Sequence, residues 1–127
     1  MLNKILIMGR LTKDPELRHT ANDTPVASFS LAVDRNYTNK DGERETDFFD
    51  IVAWRHTGTF ASKFFQKGEL CCVDGRLQRR QWIDRDGNKR YAYEVVADTI
   101  HFAGSKKNSE PSAMPDDYDP YYELAAA

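Results

Sequence analysis

The side chains of this 127-residue chain that could do chemistry fall into four groups: three histidines, two adjacent cysteines, a carboxylate-rich turn, and arginines interleaved with aromatic rings. His19, His56 and His101 stand in unrelated contexts. There is no Gly-x-x-x-x-Gly-Lys-Ser/Thr loop to cradle phosphates, no Gly-x-Ser-x-Gly elbow to raise a nucleophile and no His-Glu-x-x-His pair to hold zinc. An enzymatic role and a cofactor are therefore not expected. Cys71 and Cys72 are neighbours that point to opposite faces of an extended segment, so they cannot share one zinc. Their Cα atoms are about 3.8 Å apart, inside the ~4.4 Å lower limit of ordinary disulfides, so two reduced, buried, hydrophobe-like thiols are expected. Asp84-Arg85-Asp86-Gly87-Asn88 has the carboxylates of a calcium loop, but its glycine comes two places early and Val95 stands where a bidentate Glu belongs. It reads as a hairpin turn, and no metal is expected.

The fourth group is the informative one. In the segment Phe48 to Trp54, alternation puts Phe49, Ile51 and Ala53 on one side and Phe48, Asp50, Val52 and Trp54 on the other. If the first set is core, two large rings project into water. Further along, Arg76, Gln78, Arg80 and Trp82 share one face by the same period, with Arg79 and Arg90 nearby. Rings interleaved with cations on a sheet surface suit single-stranded nucleic acid, whose exposed bases stack on aromatics while Lys and Arg track the phosphates. Against this stands ordinary packing: a one-residue register slip would turn the rings into core, and an arginine row also protects an exposed strand edge.

The elements that would position these residues follow from periodicity. Lys4 to Leu11 is a short apolar strand bent at Gly9. Val26 to Arg35 alternates, with Ala27, Phe29, Leu31 and Val33 on one face, and Thr46 to Trp54 follows after an Asn39-Lys40-Asp41-Gly42 turn. Lys13 to Asp23 reads as a polar loop. Phe60, Ala61, Phe64 and Phe65 mark a short helix within Thr57–Lys67, with Thr57 as N-cap and Gly68 as its stop. Strands resume over Glu69 to Ile83 and Arg90 to Phe102. The order β-β-β-α-β-β is that of an all-β OB-fold, a five-stranded barrel with one short helix between strands 3 and 4.

Lys plus Arg number 18 against 20 Asp plus Glu, a formal charge of −2. Beyond Ser105, Lys106 and Lys107 face five carboxylates, so residues 105–127 carry −3 and residues 1–104 carry +1. With Pro111, Pro115 and Pro120 and no aliphatic period, 105–127 is expected to be a disordered acidic tail following a folded domain at 1–104. The longest apolar run, Ile5 to Met8, is far below the ~18–20 residues of a membrane span, and Met1 is not followed by a signal-peptide pattern. A cytoplasmic, nucleoid-associated protein with no membrane partner is expected. Three functions fit the residues: a binder of single-stranded DNA, an RNA binder recognising the 2′-OH, and a protein-interaction scaffold whose exposed rings form an interface.

The opening Met1 to Arg18, then Val26 to Val33, Lys67-Gly68, Val73-Asp74-Gly75-Arg76-Leu77 and Tyr91 to Ala97, occur in the order and spacing of bacterial single-stranded DNA-binding proteins, a family this chain resembles over about residues 1–102. The resemblance implies an OB-fold homotetramer that binds and protects single-stranded DNA during replication, recombination and repair, without catalysis. It places stacking residues at Tyr37, Phe48, Trp54 and Trp82, three of which the face analysis also selects. Lys4, Arg10, Arg35, Arg55, Lys67, Arg76, Arg80 and Arg90 look like its phosphate contacts. In that family an acidic C-terminal peptide ending in Pro-Phe docks replication and repair proteins. Here Asp116, Asp117, Asp119, Tyr121 and Tyr122 supply acid and rings, but the chain closes Glu-Leu-Ala-Ala-Ala rather than Pro-Phe.

Overall fold

The computed structural model describes residues 1–104. Its elements are β1 (Ile5–Leu11), β2 (Glu16–His19), β3 (Pro25–Thr38), β4 (Arg44–Trp54), α1 (Arg55–Phe64), β5 (Leu70–Ile83) and β6 (Lys89–Gly104). Around the sheet the order is β1-β5-β6-β4-β3-β2, and an additional β1–β3 pairing closes five of the strands into a barrel. Closure rests on two short seams: Arg10↔Ala32 and Leu11↔Leu31 between β1 and β3, and the parallel pairs Ile51↔Val95 and Val52↔Val96 between β4 and β6. The inward residues expected from alternation, Ala27, Phe29, Leu31, Ile51 and Ala53, are buried, with Ile7, Leu11, Cys71, Val73, Val95 and Ile100 completing the core. Val33 and Phe49 pack against it partly covered.

The five-strand barrel and its single helix are as expected, with two local corrections. The segment read as polar loop contains β2, which hydrogen-bonds along β3 from Glu16↔Ser28 to His19↔Pro25. All four of its residues are exposed, so no apolar alternation betrays it. The helix begins at Arg55 rather than Thr57 and ends at Phe64, four residues before Gly68. Thr57 is not the cap. Trp54 occupies that position with no side-chain cap bond, and the chain enters the helix through Arg55 at φ 58°. Such a turn delivers the helix directly onto the barrel: a Cβ at Gly58 would lie 2.4 Å from the Ala53 carbonyl oxygen and 3.0 Å from the Ala27 nitrogen. Only glycine fits that approach. Ala61 on the helix and Phe65 just after it are buried, while Phe60 and Phe64 stay exposed, their rings 5.1 Å apart.

Two hairpins leave the barrel as arms. β3–β4 runs out past a register shift between Asp34 and Thr38, and β5–β6 past one between Asp74 and Gly75. From Arg76 to Ile83 every residue of β5 is exposed, so the distal ribbon has two wet faces. Their turns share a design. Asn39 Oδ1 accepts the amides of Asp41 and Glu43 at 2.9 and 3.0 Å, and Asp84 Oδ1 accepts those of Asp86 and Asn88 at 2.9 Å each. Gly42 and Gly87 take the left-handed position at φ 78° and 79°. The Asp84 segment is thus the hairpin turn its sequence indicates.

Candidate nucleic-acid interface

Register brings three of the four proposed stacking residues onto one outer surface. Trp54, Val52, Asp50 and Phe48 alternate outward along β4, opposite Val26, Ser28, Ser30 and Ala32 of β3. Val52 neighbours Val96 of β6, which in turn opposes Arg76 at the root of the β5–β6 arm. On that arm the face continuous with Arg76 carries Gln78, Arg80 and Trp82 against Glu94, Ala92 and Arg90. Phe48 is 66 % exposed, Trp54 44 % and Trp82 39 %. None is core. Tyr37 is also exposed, but it stands on the β3–β4 arm between Asp34 and Thr38, where register shifts, and no strand pairing places it with the other three.

Two concavities meet at Trp54. A hollow of about 390 Å³ is lined by Trp54, Arg55, Thr57, Arg76, Val96 and Asp98. A groove of about 580 Å³ is bordered by Trp54, Asp50, Lys13, Arg18, Arg80 and Glu94. Trp54 is thus common to both linings.

The eight cations assigned to phosphates are not equally free. Lys4 pairs with Asp74, which raises its pKa chiefly through that hydrogen bond. Arg35 donates from Nε and Nη2 to both oxygens of Asp47, at 3.1 and 3.0 Å, and from Nη1 to Glu45. That bidentate grip raises the Arg35 pKa and holds the Asp47 carboxyl below its usual range. Arg76 reaches Asp98 at 3.2 Å, Arg80 reaches Glu94 at 3.6 Å, and Arg90 donates to Asp84 at 2.7 Å, lowering that carboxyl's pKa. Arg10 donates to the Gly68 carbonyl at 3.0 Å and shares a cross-strand row with Ala32 and Phe48. Among the described residues, the Arg55 guanidinium and the Lys67 ammonium make no ion pair, although the Lys67 backbone amide donates to Asp14 Oδ1 at 2.8 Å.

Two cation–ring contacts add to the arm. The Arg80 guanidinium lies 4.7 Å from the centre of the Trp82 ring, and that of Arg79 lies 4.5 Å from the centre of Tyr91. Arg79, Tyr91 and Tyr93 occupy the face of the ribbon opposite Trp82, with both tyrosines exposed. This second aromatic face escaped the sequence reading. The alternation Tyr91-Ala92-Tyr93 would have disclosed it, once the ribbon was known to have no buried side.

The model of the family described as "Single-strand binding protein family" matches residues 2–103. The chain belongs to that family. Among its relatives, single-stranded DNA-binding protein 2 of Listeria monocytogenes is 43 % identical over 118 residues, covering 93 % of this chain and 74 % of the relative. The single-stranded DNA-binding protein of Caldanaerobacter subterraneus is 42 % identical over 130 residues, covering 97 % and 87 %. That of Staphylococcus aureus is 46 % identical over 110 residues, covering 87 % and 70 %. Family membership spans the barrel and both arms, and so includes the whole outer surface that bears Phe48, Trp54 and Trp82.

Cys71 is buried, which pushes its thiol up to about 12, and Cys72 is half-buried rather than fully covered; both are free. No group of three or more His, Cys, Asp or Glu among the described residues could hold a metal ion, and no helix there is long and apolar enough to cross a membrane. The proposed docking residues Asp116, Asp117, Asp119, Tyr121 and Tyr122 lie outside the described residues.

Proposed function

We propose that this protein binds single-stranded DNA without strong sequence preference, stacking bases on Phe48, Trp54 and Trp82 and on Tyr37 of the β3–β4 arm. The observation that carries this reading is the common outer surface of the first three rings, exposed where water offers no reason for them. Membership of the family supports single-stranded DNA as the ligand. Stacking contributes about 1–3 kcal/mol per base, so a few engaged rings can dominate affinity. Arg10, Arg55 and Arg76 are the phosphate contacts best placed beside this surface, with Lys67 a further one, while Lys4, Arg35, Arg76, Arg80 and Arg90 engage phosphate by exchanging a carboxylate for it. Protection of DNA in the cytoplasm during replication, recombination and repair is the setting of such binding, with residues 1–104 as the binding domain and 105–127 as an acidic tail for protein partners.

Homotetrameric assembly is part of the same proposal. Leu6 and Met8 project from β1 into solvent, and from Ile5 to Gly9 the β1 edge facing β3 has no strand partner among the described residues. An open edge beside exposed aliphatic side chains is suited to a second copy. Titration with oligo-dT while following tryptophan fluorescence tests the binding: Trp54 and Trp82 are the only tryptophans, so saturable quenching is expected. Trp54→Ala with Trp82→Ala should lose binding while light scattering shows an unchanged assembly. Disassembly of that variant would instead make the rings an interface, and preference for a matched RNA would favour the RNA-binding alternative.

A further inference from the structure

The β5–β6 arm carries its cation–ring arrangement twice. On the face that bears Trp82, the Arg80 guanidinium lies over the indole. On the reverse, Arg79, Gln81 and Ile83 of β5 oppose Tyr93, Tyr91 and Lys89 of β6, and the Arg79 guanidinium lies over the Tyr91 ring. All six of these residues are exposed, Tyr91 at 49 % and Tyr93 at 63 %. The two faces differ in how their charge is balanced. Arg76, Arg80 and Arg90 are each tied to a carboxylate, whereas no acid stands among the six on the reverse, and there the Arg79 guanidinium and the Lys89 ammonium make no ion pair among the described residues. Two open rings and two unneutralised cations contribute nothing to the barrel core.

We infer that this reverse face is a second binding surface for single-stranded DNA, with bases stacked on Tyr91 and Tyr93 and phosphates held by Arg79 and Lys89, so that a strand crossing the arm is engaged on both of its sides. The surface continues the path proposed over Trp82 and rests on that reading. The edges of the arm permit the crossing: among the described residues, no strand other than its hairpin mate pairs with β5 beyond Gly75 or with β6 before Val95. The Asn3 side chain caps the inner end of the β5 edge, donating to the Leu77 carbonyl at 2.7 Å and accepting the Leu77 amide at 3.0 Å, and leaves the ring-bearing part of the edge clear. Stacking asks only for a π-face, so tyrosine serves any base. Arg79 covers one side of Tyr91 and leaves the other to a base, as Arg80 does for Trp82. Charge disfavours a second copy of the chain as the occupant, because a two-fold contact between these faces brings the cations of one copy against those of the other.

Tyr91→Ala with Tyr93→Ala removes both rings from the full chain, and Tyr91→Phe with Tyr93→Phe keeps them without their hydroxyls. Affinity for labelled oligo-dT is measured by anisotropy, while quenching of Trp54 and Trp82 is followed separately. The alanine pair should bind at least about five-fold more weakly and cover fewer nucleotides per chain at saturation, with the final quenching retained, and the phenylalanine pair should bind like the unaltered protein. Arg79→Ala and Lys89→Ala should each flatten the slope of log K against log salt by about 0.7. Should the alanine pair disturb the arm, photo-crosslinking of the unaltered protein to oligo-dT carrying iodouracil decides: adducts are expected on the tryptic peptide that begins at Tyr91, and adducts confined to the Trp82 face overturn the inference. Unchanged affinity and coverage in the alanine pair, with quenching intact, also overturn it and leave the Trp82 face standing. Altered assembly of that pair by light scattering, with DNA affinity unchanged, makes the reverse face a contact between copies and overturns it too. Binding of oligo-dT by the unaltered protein without quenching overturns the Trp82 reading and, with it, the path that this face continues.

Discussion

The guanidinium of Arg80 covers one face of Trp82 at 4.7 Å while its Nε reaches Glu94 at 3.6 Å. The indole is thus held from one side by a cation that is itself held by a carboxylate across the ribbon. A base stacking on Trp82 has the opposite face to use, and the ring it meets is already oriented. Arg80→Ala should weaken oligo-dT binding by up to about 1 kcal/mol, the size of an exposed cation–π contact, and reduce quenching from Trp82. Arg80→Lys keeps a charge for Glu94 but loses the planar stack, so it should recover little of that quenching. Full recovery with lysine would reduce Arg80 to a simple point charge.

Each tryptophan should contribute separately. Trp54→Ala and Trp82→Ala are expected to cost about 1–3 kcal/mol of binding each, measured by anisotropy with labelled oligo-dT, and to leave thermal stability nearly unchanged because both rings are exposed. A large fall in melting temperature for either would return that ring to a packing role.

The pairing of the cations has a consequence for salt. The Arg55 guanidinium and the Lys67 ammonium make no ion pair among the described residues, whereas the Arg35 guanidinium is gripped by Asp47 and Glu45. On single strands each neutralised phosphate adds about −0.7 to the slope of log K against log salt. Arg55→Gln and Lys67→Gln should each flatten that slope by about this amount, and Arg35→Gln by less. Equal changes in all three would show that phosphate displaces Asp47 freely.

Acid should act on the arms before the barrel. Asp47 is held below the usual carboxylate range first by its hydrogen bonds from Arg35, and Asp84 first by that from Arg90 and next by the Asn88 amide. A carboxyl with a lowered folded pKa adds stability above its unfolded value, near 3.9, and loses it as pH falls through the lower folded value. Both hairpins should therefore stay ordered through neutral pH and loosen only below about pH 4. Amide exchange at the two arms reads this directly, and Asp47→Asn should abolish the acid transition of the β3–β4 arm while sparing the other.

Gly58→Ala places a methyl group 2.4 Å from the Ala53 carbonyl oxygen, a backbone atom that cannot swing aside. The helix must shift from β3 and β4, and a loss of about 1–3 kcal/mol is expected in denaturant unfolding, more than offsetting alanine's better helix propensity. Because Gly58 lies four residues after Trp54, the same variant should also blunt fluorescence quenching. An unaffected stability would mean that the helix is not seated as described.

The barrel was legible in the sequence because Ala27, Phe29, Leu31, Ile51 and Ala53 alternate with residues that include Ser28, Ser30 and Asp50, and one buried face fixes register. The same alternation located Phe48, Trp54 and Trp82. β2 was not legible, since its contribution is backbone pairing by four exposed residues. Nor was the helix start, because the chain turns through the backbone of Arg55 and uses no side-chain cap. The ties that hold Arg35, Arg76 and Arg80 cross between strands, to Asp47, Asp98 and Glu94, and become visible only once register is known. A row of arginines therefore looked freer than it is.

The strand pairing also sets an order of events during synthesis. Of the described strands β1 is the first to leave the ribosome, yet its long ladder is with β5, where Ile5 faces Gly75 and Arg10 faces Leu70, and β3 offers it only Ala32 and Leu31. Until β5 emerges, Ile5, Leu6, Ile7 and Met8 have no ladder to join, while β3 and β4 can already zip into their hairpin. Such a distant pairing slows the final closure and leaves an apolar strand exposed in the nascent chain. Of the strands, β1 thus waits longest between being made and being paired, and it is the one most in need of shelter in that interval.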